Sequence, residues 1–509
     1  MGVSRWVRAD PWRALLMLVA ACYGLVQLVA VGPGMGLGWD ETVYVSQVDP
    51  RVPAAEFIAP RARGITLIVA PVTMVTSSTD VLRVYLCLLS ALALYGSFGT
   101  WLRLRSGAVV PLAALLFGSL WLTLFYGNEV MPNLWVALGA VAAVGFFLRC
   151  TRPDAGRADV VEPDGGRGAG VPPDGGRVGA AGPDGGRGAL VGLAVCVAAV
   201  GLLRPPDSLW LVLPLALALA WPGRRRLSVL LALVAGLVVG WADWIVEAYV
   251  RFGGLLARWH AAGAANETGL HFSLPDHAQA LNGPLLCRPP GDCGPAEPSW
   301  VLWWSAIPVL VLLGLYASRR ADSLLPAVVA GSLAAPYIFL VGYAAPRFLL
   351  PTYALLAFPI AHGAVGLLGR TRGRAPRWAV ACLVTAGFLA HLTLQAGTLG
   401  AIVAPRLAKR EGDALVARAL EGLGVRPPCL VYGEQAVKIA YRMGCAGHTV
   451  LTWPGQSDLP APVRDAAAAG QQVVAVDRGR PVPAPFLLTW ERRHLPDVRP
   501  GQWSAYVPR

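Results

Sequence analysis

The chain has 509 residues, of which 55% are hydrophobic and only 14% are charged. Its mean hydropathy of +0.53 excludes an ordinary soluble domain. The formal net charge of +13 does not indicate nucleic-acid binding, because the arginines cluster in short segments between apolar runs, as topology signals do. The composition therefore predicts an all-α polytopic membrane protein.

Apolar runs divide the chain into predicted membrane-spanning helices. A helix needs about 20 apolar residues to cross roughly 30 Å of hydrocarbon. Eleven runs approach this length, and two of them, at 189–203 and 206–221, are short. The predicted spans are residues 12–31, 82–101, 108–127, 130–148, 189–203, 206–221, 227–249, 300–317, 323–343, 347–369 and 377–401.

Residues 64–77 form a further apolar stretch, which is short and contains Pro71. Cytoplasmic loops are enriched in Lys and Arg, and the arginine-rich loops share the cytoplasmic side only if this stretch does not cross. We therefore predict a re-entrant or interfacial helix, with the N-terminus cytoplasmic and the C-terminal part outside. The arginine-rich loops contain Arg103 and Arg105, residues 149–188, residues 224–226, Arg319 and Arg320, and residues 370–377.

These assignments predict a transmembrane domain over residues 1–403 and a small extracytoplasmic α/β domain over residues 404–509. Within the first domain, the first outer loop is residues 32–63 and the large outer loop is residues 250–299. Residues 150–188 repeat a Pro-Asp-Gly-Gly-Arg unit with almost no apolar side chain to bury, which predicts a disordered cytoplasmic loop.

The last hundred residues have a mixed pattern of short elements. The periodicity predicts an amphipathic helix from Arg406 to Gly422 and a second helix from Glu434 to Met443. Strand-like runs lie at Cys429–Tyr432 and Gln472–Val476. The Gly-Glu turn after Tyr432 lacks the spacing of a nucleotide-binding loop, so a packing or acceptor-contacting domain is the better interpretation.

Four of the nine cysteines form two local pairs outside the predicted spans. Cys287 and Cys293 share the large outer loop, and Cys429 and Cys445 share the C-terminal domain. Disulfides form in the oxidising compartment outside the cytoplasm, so both pairs are candidate disulfides.

The first outer loop contains two adjacent carboxylates, Asp40 and Glu41, after the glycine-rich run Gly32-Pro-Gly-Met-Gly-Leu-Gly. Neighbouring residues on a helix point about 100° apart, so one carboxylate could face a cavity while the other orients a partner. The simpler interpretation is that Asp40 only caps a helix. The spacing alone favours neither interpretation.

Arginines at predicted outer helix ends run against the usual charge bias and suit a phosphate at the membrane surface. The simpler alternative is that they reach lipid headgroups or pair with nearby carboxylates. Arg204 and Arg347 are the candidates for phosphate contact. The wider predicted substrate-binding set is Arg61, Arg63, Glu129, Arg204, Asp207 and Arg347.

A divalent cation is a further candidate cofactor on this side of the membrane. Asp243 and Glu247 lie four residues apart near the outer end of an apolar run, so they share a helix face. With Glu41 they are the candidate cation ligands. The histidines of the large outer loop do not have the spacing of a zinc site.

Four short motifs in the same order and on the same side resemble the GT-C membrane glycosyltransferases, especially the protein-mannosyltransferase and aminoarabinose-transferase group. They are the outer Asp40-Glu41 pair, Ala59-Pro-Arg-Ala-Arg-Gly, Leu203-Arg-Pro and Arg347-Phe-Leu-Leu-Pro. Related enzymes often carry Lys-Pro-Pro at the second motif, so here Arg61 or Arg63 would replace the lysine as the cation.

This resemblance implies an inverting glycosyltransferase of a bacterial plasma membrane, with a polyprenyl-phosphate-linked sugar as donor. Asp40 would be the base, Glu41 its acidic partner, and Glu129 the acid of the third outer loop. The acceptor would be an envelope glycan, lipid or exported protein. Two other classes remain open from sequence: a transporter or lipid flippase, and a noncatalytic membrane assembly protein.

Overall fold

The computed structural model describes residues 10–151, 184–220, 226–289, 291, 293–371, 374–450, 453–455, 457–479, 482–495 and 503–509. Most of the predicted repeat loop at 150–188, together with Arg224 and Arg225, lies outside the described residues.

Nine helices among the described residues are long and apolar enough to cross a membrane. A bent helix pair gives a tenth candidate, and the apolar helix Pro205–Leu219 is shorter, at 15 residues. The predicted all-α polytopic class is therefore confirmed. The nine long helices are Pro11–Val31, Thr79–Leu102, Pro132–Thr151, Gly186–Leu203, Leu227–Arg251, Pro298–Ala317, Ala321–Phe339, Pro346–Arg370 and Ala375–Gly422.

The predicted span at 108–127 is not one straight helix. It consists of Val109–Gly118 and Trp121–Gly127, which meet at an angle of 74°. Leu120 between them has an extended backbone, and the Trp121 N–H donates to the Gln395 side chain at 2.9 Å instead of continuing the helix. The bend therefore follows a Gly118-Ser119 pair, and a contact from a distant helix satisfies the first N–H of the second segment.

The stretch predicted to be re-entrant or interfacial forms the helix Gly64–Thr73. Its ten residues extend only about 15 Å, half the hydrocarbon thickness. A side chain at Gly64 would come within 2.6 Å of the Leu202 backbone. The glycine therefore lets this short helix begin directly against the end of Gly186–Leu203.

Shorter helices connect the spans at the end of the bundle that carries the first loop. Trp39–Ser46 follows the first span, and Leu255–Ala265 and Leu274–Ala280 lie in the large loop. Isolated bridges join Thr268 to Val341 and Cys287 to Ala344, so this loop packs on the segment before the last-but-one span. The predicted Cys287–Cys293 and Cys429–Cys445 disulfides are both present.

The C-terminal domain is attached by a continuous helix, Arg374–Gly422. The predicted helix from Arg406 is the last part of this longer one, which passes through position 403 without a break. Beyond it, the strands are β1 Cys429–Gly433, β2 Ala446–Thr449, β3 Gln472–Arg478, β4 Glu491–Leu495 and β5 Trp503–Val507, with helices at Ala436–Met443 and Ala461–Ala468.

The five strands form one sheet in the order β2-β1-β3-β5-β4. β1 pairs in parallel with β2 and β3, whereas β5 pairs antiparallel with β3 and β4. β1 and β3 confirm the two predicted strands. Apolar clusters cover both faces of the sheet, so the domain has a core of its own beside the core of the helical bundle.

Candidate functional site

The helix that carries the predicted carboxylates begins at Trp39 and ends at Ser46. Its N-cap residue is Gly38, which has an extended backbone, and the Glu41 side chain accepts the Gly38 N–H at 2.7 Å. Glu41 therefore caps the helix by reaching back to its start. Asp40 is not the cap, and its carboxylate remains available for other contacts.

Asp40 lies between two guanidinium groups. Its Oδ1 accepts from Arg61 Nη2 at 2.7 Å, and its Oδ2 is 3.6 Å from Arg347 Nη2. The Asp40 side chain is 33% exposed, whereas the Arg61 guanidinium is buried over the rings of Trp39 and Tyr44. The accessible carboxylate therefore lies beside two guanidinium groups. An anion could bind to the arginines while a polar group binds to the carboxylate next to it.

The two guanidinium groups also set the protonation of Asp40. Burial raises the pKa of its carboxyl, but the charges of Arg61 and Arg347 and the Arg61 hydrogen bond outweigh burial and hold it below its ordinary 3.8. Asp40 is therefore ionised throughout the neutral range and can accept a proton.

Glu41 has a different environment, although it is the next residue. It is 1% exposed and accepts from Arg83 through both oxygens, at 2.5 and 2.9 Å. It also accepts the Val130 N–H at 2.7 Å and lies 3.3 Å from Arg410. Burial opposes ionisation, but these partners lower the pKa of Glu41 to about 2. Its oxygens are fully used in joining segments of the protein.

The predicted third-loop acid, Glu129, is buried and ion-paired with Arg410. Burial raises the pKa of its carboxyl, and the neighbouring Glu41 raises it further, against the lowering effect of Arg410 and Arg83. Glu129 is thus paired with Arg410 and lies next to Glu41, which shares that arginine.

Arg204 and Asp207 form a pair of their own, with Arg204 Nε 3.3 Å from Asp207 Oδ2. Tyr337 donates its hydroxyl to Asp207, and the Arg204 guanidinium lies 5.1 and 5.2 Å from the ring centres of Tyr337 and Phe348. Phe348 follows Arg347 in the chain. Arg204 is therefore paired with a nearby carboxylate, which was the simpler alternative to phosphate contact. The pair lies beside the Asp40 site.

Arg63 does not contact Asp40. It donates to Glu247 Oε1 at 2.6 Å, and Glu247 also pairs with Arg258 at 2.8 Å. Of the two arginines that could replace the family lysine, the structure places Arg61 in the site and Arg63 in this second cluster. Arg258, fully buried, also donates to the carbonyls of Ala59 and Arg61, so it fixes the segment that presents Arg61.

Of the three residues predicted to hold a cation, Glu41 and Glu247 do not fit one. No group of three or more His, Cys, Asp or Glu side chains in the described part of the chain is arranged around a common point. Glu41 and Glu247 already accept from arginines through both oxygens, so coordination would leave those buried guanidinium groups unpaired. We derive no step through a metal ion.

Sequence reasoning missed Arg83, Arg258 and Arg410, all buried and all partners of predicted carboxylates. Arg83 could have been found from the sequence. It lies within a predicted span, where a charged residue normally has a functional partner. Arg410 lies more than 350 residues from Gly36, to whose carbonyl it donates. Nothing in local spacing indicates that contact.

The fold and this site together define a polytopic membrane protein with a charged centre at one end of the bundle, next to a small α/β domain. Comparison with solved structures gives matches over nearly the whole chain. ArnT from Cupriavidus metallidurans in the apo state has a TM-score of 0.64 at 14% identity, covering 99% of this chain and 98% of that one. The same protein bound to undecaprenyl phosphate gives 0.61.

Two further matches are to longer proteins, of which this chain covers only a part. The Archaeoglobus fulgidus oligosaccharyltransferase in the apo form has a TM-score of 0.55 at 12% identity, covering 92% of this chain and 69% of that one. The mycobacterial arabinofuranosyltransferase AftD gives 0.52 at 12% identity, covering 97% and 40%. No protein-family model and no curated protein matches the sequence. The chain therefore has the GT-C fold, and the resemblance carried by its motifs is confirmed at the level of the fold.

Proposed function

We propose that this protein is an inverting glycosyltransferase that moves a sugar from a polyprenyl-phosphate donor to an envelope glycan, lipid or protein. The proposed site of transfer is the extracytoplasmic face of the plasma membrane. The observation that carries the proposal is the partly exposed, ionised Asp40 between Arg61 and Arg347 in a GT-C fold.

In the proposed reaction, the acceptor hydroxyl loses its proton to Asp40 Oδ2, the oxygen that Arg61 leaves free. The hydroxyl oxygen forms a bond to the anomeric carbon on the face opposite the phosphate. The bond from that carbon to the phosphate oxygen breaks, and the configuration inverts. Arg347 and Arg61 stabilise the negative charge that develops on the leaving phosphate.

The fold neighbours support a lipid-phosphate donor. The ArnT structure contains undecaprenyl phosphate, and an archaeal oligosaccharyltransferase with a TM-score of 0.54 is in complex with a dolichol-phosphate. A lipid donor would reach Asp40 sideways from the bilayer, so no nucleotide is needed outside the cytoplasm.

The proposal is tested with the purified full chain in lipid vesicles. We expect transfer of radiolabelled sugar from a panel of polyprenyl-phosphate hexoses and pentoses to an envelope extract, and none from the matching nucleotide sugars. A comparison of envelope glycans in intact cells with and without the gene identifies the sugar. Movement of the lipid across the vesicle without bond cleavage would instead indicate a flippase, and neither activity would indicate an assembly protein.

Arg347→Gln tests the phosphate contact and the electrostatics together. Losing a charge-assisted contact worth about 1.5–3 kcal/mol is expected to raise the donor KM roughly tenfold or more. The substitution also removes a charge that lowers the pKa of Asp40, so that pKa rises. A base is active when deprotonated, so the acid limb of kcat/KM should move to higher pH.

The control for this prediction is Arg288→Gln, which removes an exposed arginine paired with Glu267 in the large loop. We expect its donor KM and pH profile to match those of the wild type. An Arg347→Gln profile that coincides with the wild-type profile between pH 3 and 7 would contradict the placement of Arg347 beside the reacting carboxylate.

A further inference from the structure

The helix that leads into the C-terminal domain contacts the loop that carries Asp40. Arg410, on Arg374–Gly422, is buried and donates through Nη1 to the Gly36 carbonyl at 2.7 Å. Its Nη2 pairs with Glu129, and its Nη1 is 3.3 Å from Glu41 Oε2. One side chain of the helix that leads into the C-terminal domain thus joins the first loop to the third.

The glycine-rich run before Asp40 is the other half of this contact. A side chain at Gly38 would place its Cβ 2.9 Å from Arg410 Nη2, and one at Gly36 would place it 2.3 Å from Arg442 Nη2. Both arginines belong to the C-terminal part of the chain. Because glycine has no side chain at these two positions, the guanidinium groups of both arginines can lie directly against the loop.

A second contact holds the other end of the same loop helix. Tyr441, on Ala436–Met443, donates its hydroxyl to Asp49 Oδ2 at 2.7 Å. Asp49 in turn accepts from the Arg51 side chain at 2.8 Å, just after the end of Trp39–Ser46. The C-terminal domain therefore contacts the chain on both sides of this helix.

Inside the C-terminal part, these two contacts are mechanically linked. Lys438, one turn before Tyr441, forms a buried ion pair with Asp413, one turn after Arg410. Arg410 and Tyr441 thus belong to two helices that are fixed to one another. The loop helix is held by a rigid unit and not by two independent side chains.

We propose that Arg410 is a positioning residue, through which the C-terminal domain holds helix Trp39–Ser46 and so fixes Asp40 between Arg61 and Arg347. The expected effect on catalysis rests on the proposed function, whereas the holding of the loop helix by the C-terminal domain does not. Arg410 touches Glu41 and the loop backbone, and it acts on Asp40 only through them. Its loss is expected to affect turnover more than donor binding.

The experiment measures amide hydrogen exchange of the full chain in lipid nanodiscs, for the wild type and for Arg410→Gln. Removing a buried, charge-assisted contact is expected to speed exchange in residues 36–46 roughly tenfold or more. Arg410→Lys, which keeps the charge but cannot reach Gly36 and both carboxylates together, is expected to fall between the two. Arg418→Gln, an exposed change two turns further on, is the matched control and is expected to leave exchange unchanged.

Sugar transfer is measured on the same samples. We expect Arg410→Gln to lower kcat with little change in donor KM, and Arg410→Lys to recover part of it. Unchanged exchange in residues 36–46 overturns the proposal, whatever the activity. If the wild type transfers no lipid-linked sugar, the proposed function fails while the exchange result still decides whether the domain holds the loop.

Tyr441→Phe keeps the experiment decisive if Arg410→Gln does not fold. This change removes one hydroxyl and no charge, so the protein is expected to fold. Faster exchange confined to residues 44–51 supports the proposal, because the substitution removes only the contact at the C-terminal end of the loop helix. Exchange equal to that of the wild type contradicts it.

Discussion

Asp40→Asn is expected to lower kcat for sugar transfer by about 10²- to 10⁴-fold, the usual contribution of a general base. The asparagine has the same shape, and its oxygen can still accept from Arg61, but it cannot take the proton of the acceptor hydroxyl. Donor KM is expected to change little or to fall, because Arg61 and Arg347 lose their carboxylate partner and become freer to bind phosphate.

The measurement is single-turnover transfer by the purified variant, with the amount of folded protein determined by size-exclusion chromatography. Asp80→Asn is the matched control, since Asp80 is an exposed aspartate in the first turn of a neighbouring span. Its activity is expected to equal that of the wild type. An Asp40→Asn enzyme with full activity would show that another group, or water, removes the proton.

Nine of the eleven predicted spans correspond to long apolar helices, because span position depends on short-range properties. Span position follows from local hydropathy, and the motif at Arg347 follows a predicted outer helix end. The contact that stabilises the bend at Leu120 could not be predicted in this way. It depends on Gln395, which is close in space and more than 270 residues away in the chain.

The same limit explains what the sequence could not say about Asp40 and Glu41. Two adjacent carboxylates in a loop look alike, and only the fold shows that one faces Arg61 and the other Arg83. Two of the three missed strands have a related cause. Ala446–Thr449 is small and polar, and four of the five side chains of Glu491–Leu495 are exposed, so neither has the apolar pattern of a strand.

The contrast between the two carboxylates predicts that the loss of Asp40 affects mainly sugar transfer, whereas the loss of the Glu41 pairing affects mainly stability. Glu41 accepts from Arg83, a fully buried side chain on Thr79–Leu102 that also donates to the Met35, Gly36 and Asn128 carbonyls at 2.9, 2.8 and 2.5 Å. These contacts fold the glycine-rich run against the third loop. The Arg83–Glu41 pair is therefore a structural centre beside the reactive one.

Arg83→Met is expected to destabilise the protein by about 3–5 kcal/mol, because it leaves the Glu41 carboxylate buried without its main partner. The measurement is the temperature at which half of the detergent-solubilised protein remains monodisperse. Arg13→Met, which breaks an exposed pair with Asp10, is the control, and its effect is expected to stay below about 1 kcal/mol.

The three variants together distinguish the two roles. Asp40→Asn loses transfer while its midpoint stays near that of the wild type, and Arg83→Met loses both. Adding Glu41→Met to Arg83→Met removes the unpaired carboxylate, so the double variant is expected to regain part of the lost stability. Equal midpoints for Arg83→Met and Arg13→Met would mean that Glu41 finds enough support from Arg410 and the Gly38 and Val130 amides alone.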